Sequence, residues 1–200
     1  MTDDRYTVLV VDDDEDVVDL FEGWLSDQYT VKTATDGENA LTELEGVDVA
    51  LLDRRLPTCS GDHVAAEIER RDGDCMTAII SGVEPDTDIV HISCGEYLVK
   101  PIGKTELLDT VERLRQRARY DDRLAECANL AAKRGALEAS NPRAELERDP
   151  EYVGLCRRID ELRAELDDLT RTFDAEDFQA AFETPDFRGG SRIQQVGWLS

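Results

Sequence analysis

Residues 8–13 read VLVVDD, and this stretch decides the fold. Four consecutive apolar residues that end abruptly at carboxylates are typical of a strand buried on both faces of a parallel sheet. Three later segments have the same form, an apolar run that ends at a polar group: VALLD at 49–53, AIIS at 78–81 and LVKP at 98–101. Because ligands bind at the carboxyl ends of parallel strands, these runs predict that distant polar groups meet at one edge of a sheet.

Helical periodicity fills the intervals between the apolar runs. Apolar residues recur at steps of three and four after the first run, at Val17, Leu20, Phe21 and Trp24. A further strand is predicted at 29–34, and helices are predicted near 40–44, 64–68 and from 107 onward. Strands that alternate with helices predict an α/β fold, in which a parallel sheet has helices on both faces.

The polar groups at the strand ends point to phosphoryl transfer. Asp12, Asp13 and Asp53 would bring three carboxylates together, and a divalent cation such as Mg²⁺ is the usual means of offsetting their repulsion. Lys100 can neutralise one oxygen of a tetrahedral anion, and Ser81 can donate a hydrogen bond to another. Because phosphoryl transfer depends mainly on positioning and on cationic charge, we predict transfer of a phosphoryl group to an aspartate here.

Each of these residues also has a simpler interpretation. The aspartates after the first strand could be a solvated acidic cap of the next helix, and for residues 14–16 this is the favoured interpretation. Asp53 could merely end a strand, and neither a lone serine nor a Lys-Pro dipeptide is specific. The joint placement at four strand ends favours the functional interpretation. His63 and His91 are interpreted as ordinary helix or loop residues.

The motifs VLVVDDD, LLDRRLPTCSG, AIIS and YLVKPI resemble those of two-component response-regulator receiver domains, in the same order and over residues 5–119. The resemblance implies a flavodoxin-like, doubly wound, five-stranded parallel sheet. It also implies that a sensor histidine kinase phosphorylates Asp53, and that the receiver is no enzyme beyond accepting this phosphoryl group and slowly hydrolysing it. The other roles that it implies are Mg²⁺ ligation by Asp12, Asp13, Asp53 and the Arg55 backbone carbonyl, phosphate binding by Lys100, switching by Ser81 and Tyr97, and a cis peptide bond before Pro101.

The chain departs from the receiver pattern at two places. The segment between Ser81 and Lys100 is about three residues shorter than in many receivers, so we expect a short or irregular helix there, with Pro85 near its start. The two residues after the phosphoacceptor, Arg54 and Arg55, are basic where apolar residues often stand. A changed lifetime of the aspartyl phosphate is the corresponding hypothesis.

The sequence beyond residue 119 predicts an all-α module. The last receiver helix is expected to continue toward Leu137 and to end at residues 140–142, SNP, and Asp149-Pro150 is typical of the start of another helix. This second helix has a heptad seam, formed by Tyr152, Leu155, Ile159, Leu162, Leu166, Leu169 and Phe173. We predict a helical hairpin or coiled coil whose seam is covered either by the first helix or by a second chain, as a homodimer.

The motifs of this module, YDDRLAECANLAAKRGALEA, DPEYVGLCRRIDELRAELDDL and AEDFQAAF, are similar to the HalX domain that follows receivers in haloarchaeal regulators. The resemblance implies a HalX-like module over residues 120–183, but it implies no biochemical activity. A short helix with Phe178 and Phe182 is expected after Asp174. Residues 184–200 include Pro185, Gly189 and Gly190, and they are predicted to be a flexible tail.

The chain is strongly acidic, with 46 acidic and 23 basic residues among 200 and a formal net charge of −23. Such a surface repels nucleic acids and anionic membranes, but molar salt screens charges within roughly 3 Å. We therefore predict a cytoplasmic protein of a halophile, with an acidic mesophilic protein as the alternative. No apolar run approaches the ~18 residues of a membrane span, and no signal peptide is evident. Five cysteines without CxxC or zinc-type spacing are interpreted as reduced thiols.

The favoured function is a phosphorylation-controlled switch whose helical module contacts a downstream protein. The alternative is a DNA-binding transcriptional regulator, which is supported by the arginines at 113, 115, 117 and 119. These arginines spread over more than one helical face, and no second basic helix of a helix-turn-helix follows. An enzymatic or phosphohistidine effector is disfavoured, because residues 120–200 contain no histidine, no Gly-rich phosphate loop and no metal-binding cluster.

Overall fold

A computed structural model describes residues 5–71, 75–85, 87 and 92–173 of the chain. The strands are β1 (Thr7–Val11), β2 (Thr30–Ala34), β3 (Val49–Asp53), β4 (Met76–Ser81) and β5 (Glu96–Val99). The helices are α1 (Glu15–Leu25), α2 (Gly37–Thr42), α3 (Gly61–Arg71), α4 (Lys104–Ser140), α5 (Arg143–Leu146) and α6 (Pro150–Phe173). The described residues do not include His91, the short helix predicted after Asp174, the tail from 184, or residues 86 and 88–90 of the segment predicted to hold a short helix.

All five strands are parallel, and their order in the sheet is β2-β1-β3-β4-β5. The predicted five-stranded parallel sheet is therefore confirmed, although single strands begin one or two residues earlier or later than expected. The register aligns Asp53 with Ile80, and Ser81 with Val99. The carboxyl ends of the central strands thus lie level at one edge.

Each face of the sheet is covered by helices. Alternate residues of β1 enter different cores: Val8 and Val10 pack with side chains of α1 and α4, while Leu9 and Val11 pack with side chains of α2 and α3. Val49, Ala50, Leu51 and Leu52 of β3 are fully buried, as expected for a strand covered on both faces. The doubly wound architecture follows from this alternation.

Polar caps fix where the first helices begin, in agreement with the sequence. The Asp14 side chain accepts a hydrogen bond from the Asp16 N–H at the start of α1, and Asp36 accepts one from Asn39 at the start of α2. At the start of α6, the Asp149 carboxylate accepts from the Glu151 N–H at 2.8 Å. These carboxylates satisfy free N–H groups at the positive end of each helix.

The chain divides into two compact units, with the boundary between Asp122 and Arg123. In the second unit, α6 runs antiparallel to the last part of α4. Three contacts define this direction: Tyr152 with Glu138, Arg158 with Glu126, and Arg123 with Glu165.

The centre of the heptad seam is covered by α4 of the same chain. Ile159 and Leu162 are fully buried against Cys127, and Leu130, Leu155 and Leu166 pack around them. Of the two partners that the sequence left open, the first helix therefore covers this part of the seam. The four-residue helix α5 in the connection was not predicted.

The cysteines at 59, 75, 94, 127 and 156 are free thiols, in agreement with the interpretation from their spacing. Among the helices in the described ranges, we find none with the length and apolar content that a membrane span requires.

Candidate functional site

The predicted functional residues sit at one edge because four parallel strands end there. Asp12 directly follows β1, and its N–H donates to the Ala34 carbonyl of the neighbouring strand at 3.2 Å. Asp53 and Ser81 are the last residues of β3 and β4. Lys100 follows β5, and its N–H donates to the Ser81 carbonyl at 2.7 Å. Backbone pairing thus fixes the place of each functional side chain.

Lys100 joins the two buried carboxylates of this edge. Its Nζ donates to Asp12 Oδ2 at 2.5 Å and to Asp53 Oδ1 at 2.7 Å. Only 2% of Asp12 and 7% of Asp53 is exposed to solvent. One ammonium group therefore forms ion pairs with two carboxylates that are almost fully buried. We call these three residues the Asp12–Lys100–Asp53 cluster.

Burial and charge act against each other in this cluster. Burial raises the pKa of Asp12 above its ordinary value, and the hydrogen bond from Lys100 only partly opposes this effect. Burial by itself would lower the pKa of Lys100, but the hydrogen bonds to Asp12 and Asp53 outweigh it and raise this pKa. The Lys100 ammonium group is thus firmly charged, while burial disfavours the charged form of the Asp12 carboxylate.

The second oxygen of the Asp53 carboxylate is held by the loop that follows it. The Arg55 N–H donates to Asp53 Oδ2 at 2.5 Å. The loop returns so closely that the Gly61 N–H donates to the Arg54 carbonyl at 3.1 Å. A Cβ atom at Gly61 would overlap the Asp53 carbonyl oxygen, so only glycine fits at this position.

Ser81 and Tyr97 are linked through the backbone of Val83. The Val83 N–H donates to Ser81 Oγ at 3.1 Å, and the Tyr97 hydroxyl donates to the Val83 carbonyl at 3.0 Å. The Tyr97 ring is partly buried and packs against the core on the α2–α3 side of the sheet. Because Val83 makes both contacts, a movement of the Ser81 hydroxyl would shift Val83 and thereby the carbonyl to which the Tyr97 hydroxyl donates.

Two of the residues that the resemblance assigns to the metal site lie at the protein surface. Asp13 is exposed, and we find no hydrogen bond or ion pair of its side chain in the described part of the chain. Arg55 is also exposed, and its N–H is the group that contacts Asp53. Within the ranges described above, no three His, Cys, Asp or Glu side chains are grouped closely enough to hold a metal ion. The cluster instead has Lys100 between its carboxylates.

The structure also reveals an ion pair that the sequence did not predict. Arg54 Nε lies 3.1 Å from Asp62 Oδ2, so the residue after Asp53 is tied to the first turn of α3. The basic residue at 54 was noted as a departure from the receiver pattern, and an acidic residue eight positions later was the only available signal. Proximity of the two could not be derived without the path of the loop.

The sequence matches two family models. Residues 8–112 match the response regulator receiver domain, and residues 116–182 match the HalX domain. A protein of Haloferax volcanii described as a candidate transcriptional regulator is 42% identical over 172 residues, which are 84% of this chain. The response regulator SaeR of Staphylococcus aureus is 26% identical over 112 residues, or 54% of this chain. The chain spans 29% and 49% of the lengths of these two relatives.

Solved structures of receivers resemble the first unit. The response regulator TrrA of Thermotoga maritima, in complex with Mg²⁺ and beryllium fluoride, is 30% identical with a TM-score of 0.51, over 55% of this chain and 98% of that one. The response regulator DrrB of the same organism is 26% identical with a TM-score of 0.53, over 56% of this chain and 54% of that one. With the fold and the receiver model in agreement, this chain belongs to the two-component response regulators, and a HalX domain follows its receiver domain.

Proposed function

We propose that Asp53 accepts a phosphoryl group from a phosphohistidine of a sensor histidine kinase, and that the helical module passes this signal to another protein. The Asp12–Lys100–Asp53 cluster carries the first part of the proposal. It places a carboxylate nucleophile beside an ammonium group at the crevice where parallel α/β sheets bind their ligands.

The donor set of the cluster suits Mg²⁺. The carboxylates of Asp12 and Asp53 are hard oxygen ligands, and burial keeps the pKa of Asp12 raised although Lys100 donates a hydrogen bond to it. Asp13 and the Arg55 carbonyl would complete the protein ligands. When bound, Mg²⁺ would supply positive charge to the oxygens of the phosphoryl group. The complex of TrrA with Mg²⁺ and beryllium fluoride supports this assignment by similarity.

The side chains of the chain itself account for the rest of the transfer. A carboxylate oxygen of Asp53 forms the new bond to phosphorus while the bond from phosphorus to the donor imidazole nitrogen breaks. Before the transfer, Lys100 donates hydrogen bonds to both Asp12 and Asp53. It therefore lies close enough to donate to a phosphoryl oxygen as negative charge develops there. The Arg55 N–H holds Asp53 Oδ2, so the carboxylate meets the donor in one orientation. Hydrolysis of the aspartyl phosphate returns the receiver to its first state, and we propose no other enzymatic activity.

The same geometry supports the proposed switch. A phosphoryl oxygen on Asp53 would attract the Ser81 hydroxyl, whose oxygen now accepts from the Val83 N–H. Movement of Ser81 and Val83 would displace the Val83 carbonyl that holds the Tyr97 hydroxyl. Phosphorylation would thus change a local electrostatic contact and bias the position of an aromatic side chain.

Phosphorylation by acetyl phosphate in molar KCl with Mg²⁺ tests the acceptor. We expect wild type and Asp109→Asn, in which an exposed aspartate of α4 is changed, to incorporate labelled phosphate equally. Asp53→Asn should incorporate none, because an amide is not a competent nucleophile here. Equal labelling of Asp53→Asn and wild type would refute the proposed acceptor.

The surface of the helical module supports contact with a protein. Leu124, Leu137 and Val153 are 46%, 39% and 42% exposed. In a chain with 34% charged residues, the exposed positions of α4 from 124 to 139 have only two charges, Lys133 and Glu138. We propose that the partner protein contacts these exposed apolar side chains.

Light scattering after size exclusion, with and without beryllium fluoride, tests whether the downstream protein is a second copy. A mass that doubles with beryllium fluoride in wild type, but not in Asp53→Asn, would show that phosphorylation drives assembly. A mass that stays that of a monomer in both would exclude the homodimer and leave a different protein as the partner.

A DNA-binding output is the second candidate, because the Haloferax volcanii relative is described as a candidate transcriptional regulator. Two of the arginines that favoured it have other partners here. Arg113 binds both oxygens of Glu96 at 2.9 and 2.6 Å, and Arg115 binds Glu112 and lies over the Tyr6 ring. Titration of labelled genomic fragments at several salt concentrations distinguishes the candidates. Binding that weakens steeply with salt would favour DNA, and absence of binding would favour protein contact.

A further inference from the structure

We infer that Arg54 and Asp62 are a positioning pair for the phosphoacceptor site, which sets the geometry of the loop after Asp53 and thereby the affinity for Mg²⁺. The inference rests on the proposed function, because it assigns these residues a role in the same site. The Arg54 side chain is paired with Asp62 at the start of α3, so we infer that the two act on the site through the backbone that joins Asp53 to Gly61.

Three of the contacts of Arg54 hold the backbone that leads out of β3. Its N–H donates to the Ile80 carbonyl at 2.9 Å, its carbonyl accepts from the Gly61 N–H at 3.1 Å, and its Nε donates to Asp62 Oδ2 at 3.1 Å. The first contact joins Arg54 to β4, and the other two join it to the start of α3. The residue between Asp53 and Arg55 is therefore anchored to both neighbouring elements.

The ion pair is sheltered from solvent. The side chains of Arg54 and Asp62 are 20% and 32% exposed, less than those of most ion pairs on the helices of this chain. Asp62 Oδ1 is buried and has no hydrogen-bond partner among the described residues. Because a partly buried carboxylate with one unsatisfied oxygen depends on its remaining contact, loss of the Arg54 guanidinium would release Asp62 from its present position.

The loop that this pair closes carries the groups that act on the phosphoacceptor. It begins at Asp53, whose carboxylate accepts from the Arg55 N–H, and the Arg55 carbonyl is the proposed backbone ligand of Mg²⁺. It ends at Gly61, where the backbones touch too closely for any Cβ atom. A small shift of the loop would therefore displace Arg55, and with it both the N–H that donates to Asp53 and the carbonyl proposed for the metal. Contacts of this indirect kind commonly control metal affinity.

The test compares Mg²⁺ affinity with stability in three variants of the full chain, by isothermal titration calorimetry and thermal unfolding in molar KCl. Arg54→Gln removes the charge but keeps a long polar side chain. We expect its dissociation constant for Mg²⁺ to rise about tenfold, which is within the range that loss of a residue orienting a metal ligand usually causes. Arg54→Lys, which retains the charge, should recover most of the affinity. Arg70→Gln removes an exposed ion pair with Glu67 at the far end of α3 and should bind Mg²⁺ like wild type.

The possible outcomes separate the inference from the proposed function. If wild type itself binds no Mg²⁺, the proposed function is wrong. If wild type binds and Arg54→Gln binds equally well, the positioning role is refuted while the proposed function stands. A loss of affinity that Arg54→Lys does not recover, together with a lowered melting temperature, would also overturn the inference, because it would show a merely structural role.

Discussion

At the scale of single residues, sequence reasoning identified the polar groups but not their partners. Asp12, Asp53, Ser81 and Lys100 could be selected because each interrupts or follows an apolar run at the end of a strand. That Lys100 bridges Asp12 and Asp53 could not be derived, because the choice of partner depends on distances between side chains. The need for glycine at position 61 could not be derived either, since nothing in the sequence shows how closely the chain returns to Asp53.

At Gly61 the backbone passes so close to that of Asp53 that one added methyl group is expected to lower the stability of the receiver strongly. Gly61→Ala should lower the free energy of unfolding of the receiver by at least about 2 kcal/mol, because the new Cβ must displace the backbone of Asp53. Gly23→Ala is the control, because a Cβ atom at this position in the last turn of α1 meets no other atom. It should stabilise the protein by about 0.5–1 kcal/mol in the same urea titration. Similar effects of both changes would contradict the described loop.

Burial raises the pKa of the Cys75 thiol from its ordinary value of 9.0 to about 12. The folded state therefore favours the neutral Cys75 thiol. The contribution of this preference to the free energy of unfolding is complete below pH 9 and is lost as the pH rises toward 12. Wild type should therefore lose about 1–2 kcal/mol relative to Cys75→Ser between about pH 8 and about pH 10.5. Urea unfolding of both proteins at the two pH values measures this difference. A difference independent of pH would show that the thiol is not buried as described.

At the scale of elements, periodicity was sufficient for the strands and the long helices. Alternation of short apolar runs with helical patterns predicted the parallel sheet, and residues 140–142 ended α4 at Ser140 as expected. The strand limits could not be predicted to the residue, because pairing with a neighbour decides them. Helix α5 was missed because four residues show no period, and its Leu146 is buried only in the folded unit. The heptad seam predicted a contact but could not specify whose helix would cover it.

The packing of α6 on α4 predicts that the hairpin depends on a few buried residues. Leu162 is fully buried, so Leu162→Ala should destabilise the second unit by about 2–5 kcal/mol. Val153→Ala, at a position that is 42% exposed, should cost less than about 1 kcal/mol. Loss of helical circular dichroism in urea reports both effects. If both changes had the same small effect, the α4–α6 contact described here would be wrong.

At the scale of the whole molecule, a receiver of established family precedes a helical module whose output stays a proposal. The net charge of −23 favours a halophilic origin, which likewise remains a prediction. Composition disfavoured broad classes of partner, but it could not name the partner, because recognition depends on individual surface residues and their arrangement. The limits of 5–119, 120–183 and 184–200 also remain predictions, beside a compact-unit boundary after Asp122.

The position of the phosphoryl group is the most direct test of the central claim. The full chain would be phosphorylated with acetyl phosphate and Mg²⁺ and then reduced with borohydride, which converts an aspartyl phosphate to homoserine. Mass spectrometry of the peptides would locate the converted residue. Since Asp53 is the one aspartate in the described part of the chain whose buried carboxylate accepts from both Lys100 and the Arg55 N–H, we expect homoserine at position 53 and at no other aspartate. Conversion at Asp12 or Asp13 with none at Asp53 would contradict the assignment of the phosphoacceptor.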